Sequence, residues 1–311
     1  MRVLVTGGLG FIGSHLVERL VDEGNSVYVV DNLHTGTTSN IPLEHRKKLE
    51  KWVHYIELGI RRFQDVDLII HLGMPSSSPM YKENPLLVAE VIKEGIMLLR
   101  KAVCDKSKFI LISSSSVYNG NNIPFKEGMR IIPTDYYTEA RYYLERLTKL
   151  YSKLHGLEAV ILRLFSVYGE KEECKGKYAN IVTQFMWDFI NDRHPVIYGD
   201  GNQTRDFIYV GDVVDAIIKA IDYSDWGITP CEIFNVGTGV NYSFNEVISI
   251  LQTIFNKYIK PKYIENPISN YVYHTLADTA KARCKLKFRA KTSLSEGIRK
   301  IKPYYELLFG G

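Results

Sequence analysis

The first thirty-one residues constrain the fold more tightly than any other stretch of the chain. Residues 2–6 (Arg-Val-Leu-Val-Thr) are an apolar, β-branched run that reads as a buried strand. Gly7-Gly8-Leu9-Gly10-Phe11-Ile12-Gly13 follows, and then an amphipathic helix whose apolar face is marked by Leu16, Leu20 and Val21, with Gly24 as its stop. A second strand at 26–31 ends in Asp31, an acid 18 residues past Gly13. Strand, glycine turn, helix, strand and acid, in that order, make a dinucleotide-binding unit. Glycines let the backbone approach a pyrophosphate, whose charge is favoured at a helix N-terminus. An acid at Asp31 hydrogen-bonds ribose hydroxyls and repels a phosphate there, so NAD is expected over NADP.

Further apolar runs predict strands at 53–57, 66–72, 108–113 and 160–165, alternating with helices. That alternation predicts an α/β fold, a doubly wound parallel (Rossmann) sheet, with a smaller C-terminal α/β substrate lobe. The expected division is 1–165 plus roughly 204–236 for the cofactor domain, and roughly 166–203 with 237–311 for the lobe. The net charge is only +4 and its lysines are scattered, so neither a nucleic acid nor a membrane is an expected partner, whereas a small anion is compatible. Met1-Arg2 runs directly into a strand, leaving no room for a leader, and no apolar run reaches the ~18 residues of a membrane helix. The four cysteines are far apart and read as reduced packing residues of a cytoplasmic protein. The eight histidines show no ligand spacing, so no metal site is expected.

A second constellation lies near the middle. Residues 108–113 run into Ser113-Ser114-Ser115-Ser116-Val117-Tyr118, and Pro133-Thr134-Asp135-Tyr136-Tyr137 opens a helix with Ala140, Leu144, Leu147, Tyr151 and Leu154 as its expected core stripe. Tyr137 and Arg141 lie four apart, on one helix face. A cation beneath a phenol favours the phenolate, and a tyrosine poised that way can serve as a general base. Tyr136 has only Ala140 one turn on, so Tyr137 is the better candidate. Glu145, a turn beyond Arg141, is positioned to pair with it.

The chain resembles the extended short-chain dehydrogenases, and within them the NAD-dependent sugar-nucleotide epimerases and dehydratases. The likeness rests on Thr6-Gly7-Gly8 with Gly10 and Gly13, on Asp31-Asn32-Leu33-His34-Thr35-Gly36, and on Arg163-x-Phe165-x-Val167-Tyr168-Gly169. The most specific block is Tyr198-Gly199-Asp200-Gly201-Asn202-Gln203-Thr204-Arg205-Asp206-Phe207-Ile208-Tyr209-Val210, and Phe234-Asn235-Val236-Gly237-Thr238-Gly239 fits as well. By this resemblance Gly7, Gly10, Phe11, Ile12 and Gly13 hold the NAD pyrophosphate. Asp31, Asn32, Leu33, Thr35, Gly36 and Ile60 face the adenosine end, and Leu72, Gly73, Met74 and Phe165 the nicotinamide side. Tyr137, Ser114 and Arg141 are the implied catalytic residues, with Tyr137 and Arg141 also against the cofactor. Ser114, Ser115, Ser116, Ser166, Asn180, Tyr198 and Arg205 are the implied substrate residues, Arg205 on the diphosphate.

The departures from the family pattern are specific. Arg141 replaces lysine, Gly73-Met74 replace two alanines, Ser166 replaces asparagine, Ile92 replaces asparagine, and Ile268 stands where an arginine is usual. Gly59-Ile60-Arg61-Arg62 lacks the aspartate of Asp-Ile-Arg-Asp. Ser114-Ser115-Ser116 carries no acid where dehydratases have Thr-Asp-Glu, which favours epimerisation over water elimination. The resemblance therefore implies an isomerase: an NAD-dependent 4-epimerase of a nucleotide-diphosphate sugar, similar to UDP-galactose 4-epimerases and working on UDP-glucose and UDP-galactose. A homodimer through helices near 88–101 and 137–155 is implied too. A decarboxylase or keto-sugar reductase of the same fold, or a degenerate NAD-binding protein, are the alternatives.

Overall fold

The computed structural model describes residues 1–49, 51–53, 62–267 and 271–309. The strands are β1 Arg2–Thr6, β2 Ser26–Val30, β3 Lys51–Val53, β4 Leu68–His71, β5 Lys108–Ser114, β6 Ala159–Leu164, β7 Ser166–Tyr168, β8 Val196–Tyr198, β9 Thr204–Arg205, β10 Phe207–Tyr209, β11 Cys231–Val236, β12 Tyr242–Ser243 and β13 Lys262–Ile264. The helices are α1 Phe11–Asp22, α2 Leu43–Lys48, α3 Ser78–Glu83, α4 Leu87–Asp105, α5 Tyr136–His155, α6 Ile181–Ile190, α7 Val210–Ile221, α8 Phe244–Phe255, α9 Ala280–Cys284 and α10 Leu294–Phe309. The strand expected at 53–57 appears as β3, whose last residue is Val53; residues 54–57 lie outside the described residues.

Seven parallel strands form one sheet in the order β11-β6-β5-β4-β1-β2-β3. Alternate side chains of each strand serve opposite faces. Val3 and Val5 of β1 join Leu16 and Leu20 of α1 and Val213 and Ile217 of α7 in one apolar layer. Leu4 joins Leu98 and Leu99 of α4 and Ala140 and Leu144 of α5 in the other. A third core sits apart from the sheet, where Phe185 and Phe189 of α6, Val247 and Leu251 of α8, and Ile298 and Ile301 of α10 pack together.

The chain winds outward from β1 through β2 to β3, then returns to lay β4 on the other side of β1. Winding reverses between β1 and β4, and open α/β sheets place ligand crevices at such a point. Gly7 and Gly73, which follow these strands, touch there: a Cβ on Gly7 would lie 2.8 Å from the Gly73 Cα. Late in the chain β11 returns to pair with β6, register Ile233 to Ile161. None of the described helices is long and apolar enough to cross a membrane.

Candidate active site

The glycine turn is shaped as its spacing predicts. Gly7 has φ +69° and its N–H donates to the Val30 carbonyl at 2.7 Å. A Cβ on Gly13 would stand 2.0 Å from the Gly7 carbonyl oxygen, so only glycine lets α1 start this close to β1. Phe11 and Ile12 open α1, at its positive end. Asp31 follows β2 and is buried, accepting from the Leu9 N–H and the Leu33 N–H, each at 2.8 Å. Leu33 has φ +60°, and Gly36 packs on the Asp31 carboxylate, where a Cβ would be 2.9 Å from Oδ1. Asn32 is exposed beside them, with Thr35 half-buried. Across the reversal point, Leu72, Gly73 and Met74 follow β4, and the Gly73 N–H donates to Thr6 Oγ1 at 3.0 Å. Ile60 lies outside the described residues, as do Gly59, Arg61 and Ile268.

Tyr137 stands in the first turn of α5 because Asp135 caps that helix. The Asp135 carboxylate accepts from the Thr138 N–H at 2.8 Å, and Thr138 Oγ1 accepts from the Asp135 N–H at 3.1 Å. Such a box, a cap worth about 1 kcal/mol, fixes where the helix begins and so where the phenol sits. Tyr137 is buried and Tyr136 exposed. The Arg141 guanidinium carbon lies 5.1 Å from the Tyr137 ring centroid. Arg141 Nη1 donates to the Ile112 carbonyl at 2.9 Å and to Met74 Sδ at 3.4 Å, and Nη2 donates to the Pro75 carbonyl at 3.0 Å. Tyr81 meets Tyr137 edge-on with centroids 5.5 Å apart, and burial pushes its phenol up to about 12.

Glu145 does not hold Arg141. Its carboxylate is taken by Arg163 of β6, which donates from Nε at 2.9 Å and Nη2 at 2.6 Å, and by Ser113 Oγ at 2.6 Å. A guanidinium's fork matches both oxygens, and Arg163 is the one the sheet delivers there. Burial alone would depress Arg163, but the hydrogen bonds and charge of Glu145 outweigh it and hold the guanidinium above its ordinary value. The Arg163 guanidinium carbon also sits 4.7 Å from the Tyr118 ring centroid, and the Tyr118 hydroxyl donates to Asn235 Oδ1 at 2.7 Å. A buried polar network thus ties α5, β6, β11 and the serine loop together.

Ser114 ends β5, and its hydroxyl accepts from the Ser116 N–H at 3.1 Å while donating to Ser116 Oγ at 3.2 Å. It caps the short 3-10 turn Ser115–Tyr118, with Ser115 buried and Ser116 half-buried. Phe165 packs against Val117, Tyr118 and Phe125 beneath that turn. The lobe-side candidates are linked through β7 and β10, the Ser166 N–H donating to the Asp206 carbonyl at 3.0 Å. Asn180 caps α6 and donates from Nδ2 to the Val167 carbonyl at 3.1 Å, which keeps it beside Ser166. Arg205 lies between the rings of Phe244 and Tyr271, its guanidinium carbon 5.6 and 5.4 Å from their centroids. Nη1 of Arg205 donates to the Thr204 and Tyr273 carbonyls. Asp206, next to Arg205 in the chain, does not hold it: its carboxylate is engaged by the N–H groups of Thr238, Gly239 and Ala277 and the Thr238 hydroxyl. Tyr198 ends β8 at the surface.

Sequence reasoning missed the walls between these parts. A cavity of about 620 Å³ is lined by Asn119, Asn121 and Asn122 after the serine turn, by Thr134 before α5, and by Tyr271, Tyr273 and His274 beside Arg205. Asn119-Gly120-Asn121-Asn122 carries the composition of a turn, and no local signal says that it faces residue 271. Two cysteines depart from expectation: Cys104 and Cys284 are exposed rather than packed.

The sequence pattern of the NAD dependent epimerase/dehydratase family matches residues 3–237, most of the chain. The chain belongs to that family. A "Putative UDP-glucose 4-epimerase" of Methanocaldococcus jannaschii is 33% identical over 96% of this chain and 96% of that protein. The crystal structure of UDP-glucose 4-epimerase with UDP-glucose from Thermotoga maritima superposes with a TM-score of 0.91 at 30% identity, covering 99% of both chains. UDP-glucuronic acid 4-epimerase from Bacillus cereus, solved with UDP-glucuronic acid and NAD, superposes with a TM-score of 0.89 at 29% identity, covering 99% of this chain and 100% of that one. The protein is therefore a nucleotide-sugar 4-epimerase-like member of an NAD-dependent family, and NAD is its cofactor. The Gly7–Gly13 turn fits a dinucleotide's pyrophosphate, since glycine at 13 lets the positive end of α1 close directly on the turn.

Proposed function

We propose that the protein inverts carbon 4 of a UDP-hexose, interconverting UDP-glucose and UDP-galactose. The observation that carries this reading is the stack of Tyr137 on Arg141 at the head of α5, with Arg141 hydrogen-bonded to the Ile112 carbonyl of β5, two residues before Ser114. Bound NAD would take up a hydride from the sugar and return it, and is not consumed. Tyr137 removes the proton from the carbon-4 hydroxyl, which Ser114 shares by hydrogen bond. Arg141 keeps a positive charge beneath the phenol and, being effectively never deprotonated, holds that charge without relaying a proton. Arg205, with Ser166 and Asn180, anchors the diphosphate while the keto sugar turns in the cavity walled by Asn119, Asn121, Asn122 and Tyr273. Ser115, Ser116 and Tyr198 line the sugar's path. The acid-free Ser114-Ser115-Ser116 supports inversion over dehydration.

The cofactor side follows the same reading. Gly7, Gly10, Phe11, Ile12 and Gly13 hold the pyrophosphate, Asp31, Asn32, Leu33, Thr35 and Gly36 the adenosine, and Leu72, Gly73, Met74 and Phe165 the nicotinamide side. Residues 1–165 and 204–236 form the cofactor domain, a division supported by the pairing of β11 with β6. The protein works in the cytoplasm as a homodimer through α4 and α5.

Proton NMR of the protein with NAD and UDP-galactose, then with UDP-N-acetylglucosamine and UDP-glucuronic acid, tests this. The expected outcome is an equilibrium mixture of UDP-glucose and UDP-galactose with no net NADH. Tyr137→Phe should lower the rate by about 10²–10⁴-fold, the usual worth of a positioned general base. Release of carbon dioxide from UDP-glucuronic acid would replace the reading with the decarboxylase. Stoichiometric consumption of NADH would replace it with a reductase.

A further inference from the structure

We propose that Met74 is a positioning residue for the Tyr137–Arg141 pair, acting through the guanidinium rather than on the sugar. Arg141 is buried, and its two terminal nitrogens meet three acceptors from two separate segments. The carbonyl of Ile112 lies in β5, whereas Met74 Sδ and the Pro75 carbonyl belong to the turn that follows β4. The two carbonyls are backbone and move only with the strand or turn that carries them. The thioether is the one side-chain acceptor, and it shares Nη1 with Ile112.

Two hydrogen bonds from one planar group leave it free to tilt about the line joining them. A third contact, at Nη1 beside that of Ile112, restrains the tilt of a group whose carbon lies 5.1 Å from the Tyr137 ring centroid. Met74 and Tyr137 also share one apolar cluster, so the same side chain packs the pair and orients it. The turn is itself pinned from the far side, where the Gly73 N–H donates to Thr6 Oγ1 and the Met74 N–H to the Leu72 carbonyl at 2.7 Å. Arg141 and Met74 are thus two halves of one contact. An ammonium, a compact point charge, cannot reach all three acceptors from the arginine's position. Arg141→Lys alone therefore removes the contact and leaves Met74 without its partner.

The catalytic consequence rests on the epimerase reading above, but the geometry is measured without any substrate. In ¹⁵N-arginine NMR spectra of the protein, the Arg141 side-chain resonances are assigned by their loss in Arg141→Lys. The expected result is slowly exchanging terminal-nitrogen protons in wild type that broaden or average in Met74→Leu, which keeps the volume and deletes the sulfur. Fast averaging in wild type, or unchanged spectra in Met74→Leu, overturns the proposal whether or not any sugar turns over. With an active substrate, Met74→Leu should lower kcat by about tenfold with KM unchanged. Met74→Ala combined with Arg141→Lys should then cost no more than the worse single change. Losses that multiply, or a KM effect alone, also overturn it.

Discussion

The two long faces of α5 are both mixed, but in different ways: the inward one adds buried polar groups to an apolar core, and the outward one sets apolar side chains among charges. Its inward side carries Ala140 and Leu144 together with Tyr137, Arg141, Glu145, Thr148 and Ser152, all buried. Outward it shows Tyr143, Leu150 and Leu154, which are 36%, 47% and 63% exposed, among the exposed charges of Glu139, Arg146, Lys149 and Lys153. Leu154, expected in the core stripe, is thus on the outside. Spacing at 3.6 residues says that two faces exist, and composition then suggests that the apolar one is inside. Here polar groups lie inside beside Ala140 and Leu144 because partners await them there: Ile112, Met74 and Pro75 for Arg141, and Arg163 with Ser113 for Glu145. A buried charge is tolerated only when so matched. The outward apolar stripe supports pairing with a second copy.

The contrast can be broken most forcefully at Glu145. Glu145→Ala strands Arg163 as a buried, uncompensated cation and should cost about 3–5 kcal/mol in urea unfolding. A loss below about 1 kcal/mol would mean that the inward network is not sealed from water. A second probe is acidity. Burial, aided by the charge of Arg141, lowers His71 from 6.5 to about 3, and burial with Lys171 lowers His15 to about 4. Both are neutral when folded, so the unfolded chain takes up protons that the folded chain refuses. Their stability contribution is whole above pH 6.5 and falls away as pH drops toward 4 and then 3. Urea midpoints should therefore decline over that window, and less steeply in His71→Gln. The outward face should respond least: Leu150→Lys is expected to change monomer stability by no more than about 0.5 kcal/mol. On the proposed homodimer, light scattering should nevertheless show a dimer for wild type and a monomer for Leu150→Lys. An undisturbed dimer would place the interface elsewhere.

The parts of the fold written in short-range chemistry were legible. The turn from Gly7 to Gly13 follows from backbone sterics, and Asp135 and Ser243 start their helices through caps. Ser243-x-x-Glu246 has the spacing of a capping box, and the Ser243 hydroxyl accepts from the Glu246 N–H at 3.1 Å. The pairing of Glu145 was not legible, because Arg141 and Arg163 are equally good partners on paper. Only the register of β5 against β6, which sets Ser113 opposite Arg163, brings the second to Glu145. The contact of Met74 with Arg141 was hidden for a similar reason. A thioether has no signature as an acceptor until a cation is seen beside it. The asparagines after the serine turn looked like loop, as they are, and their use depends on what stands across the cavity.

The carboxylate of Asp206 bears on the order in which the molecule can be completed as it leaves the ribosome. Its four donors come from residues 238, 239 and 277, all later in the chain. A nascent chain can close the glycine turn and the helix of Tyr137 while Asp206 still has none of them. The seat of Arg205, the neighbour of Asp206, takes its aromatic walls from residues 244 and 271. The seat of Arg205 is therefore finished only after residue 271 has emerged, long after the glycine turn can close.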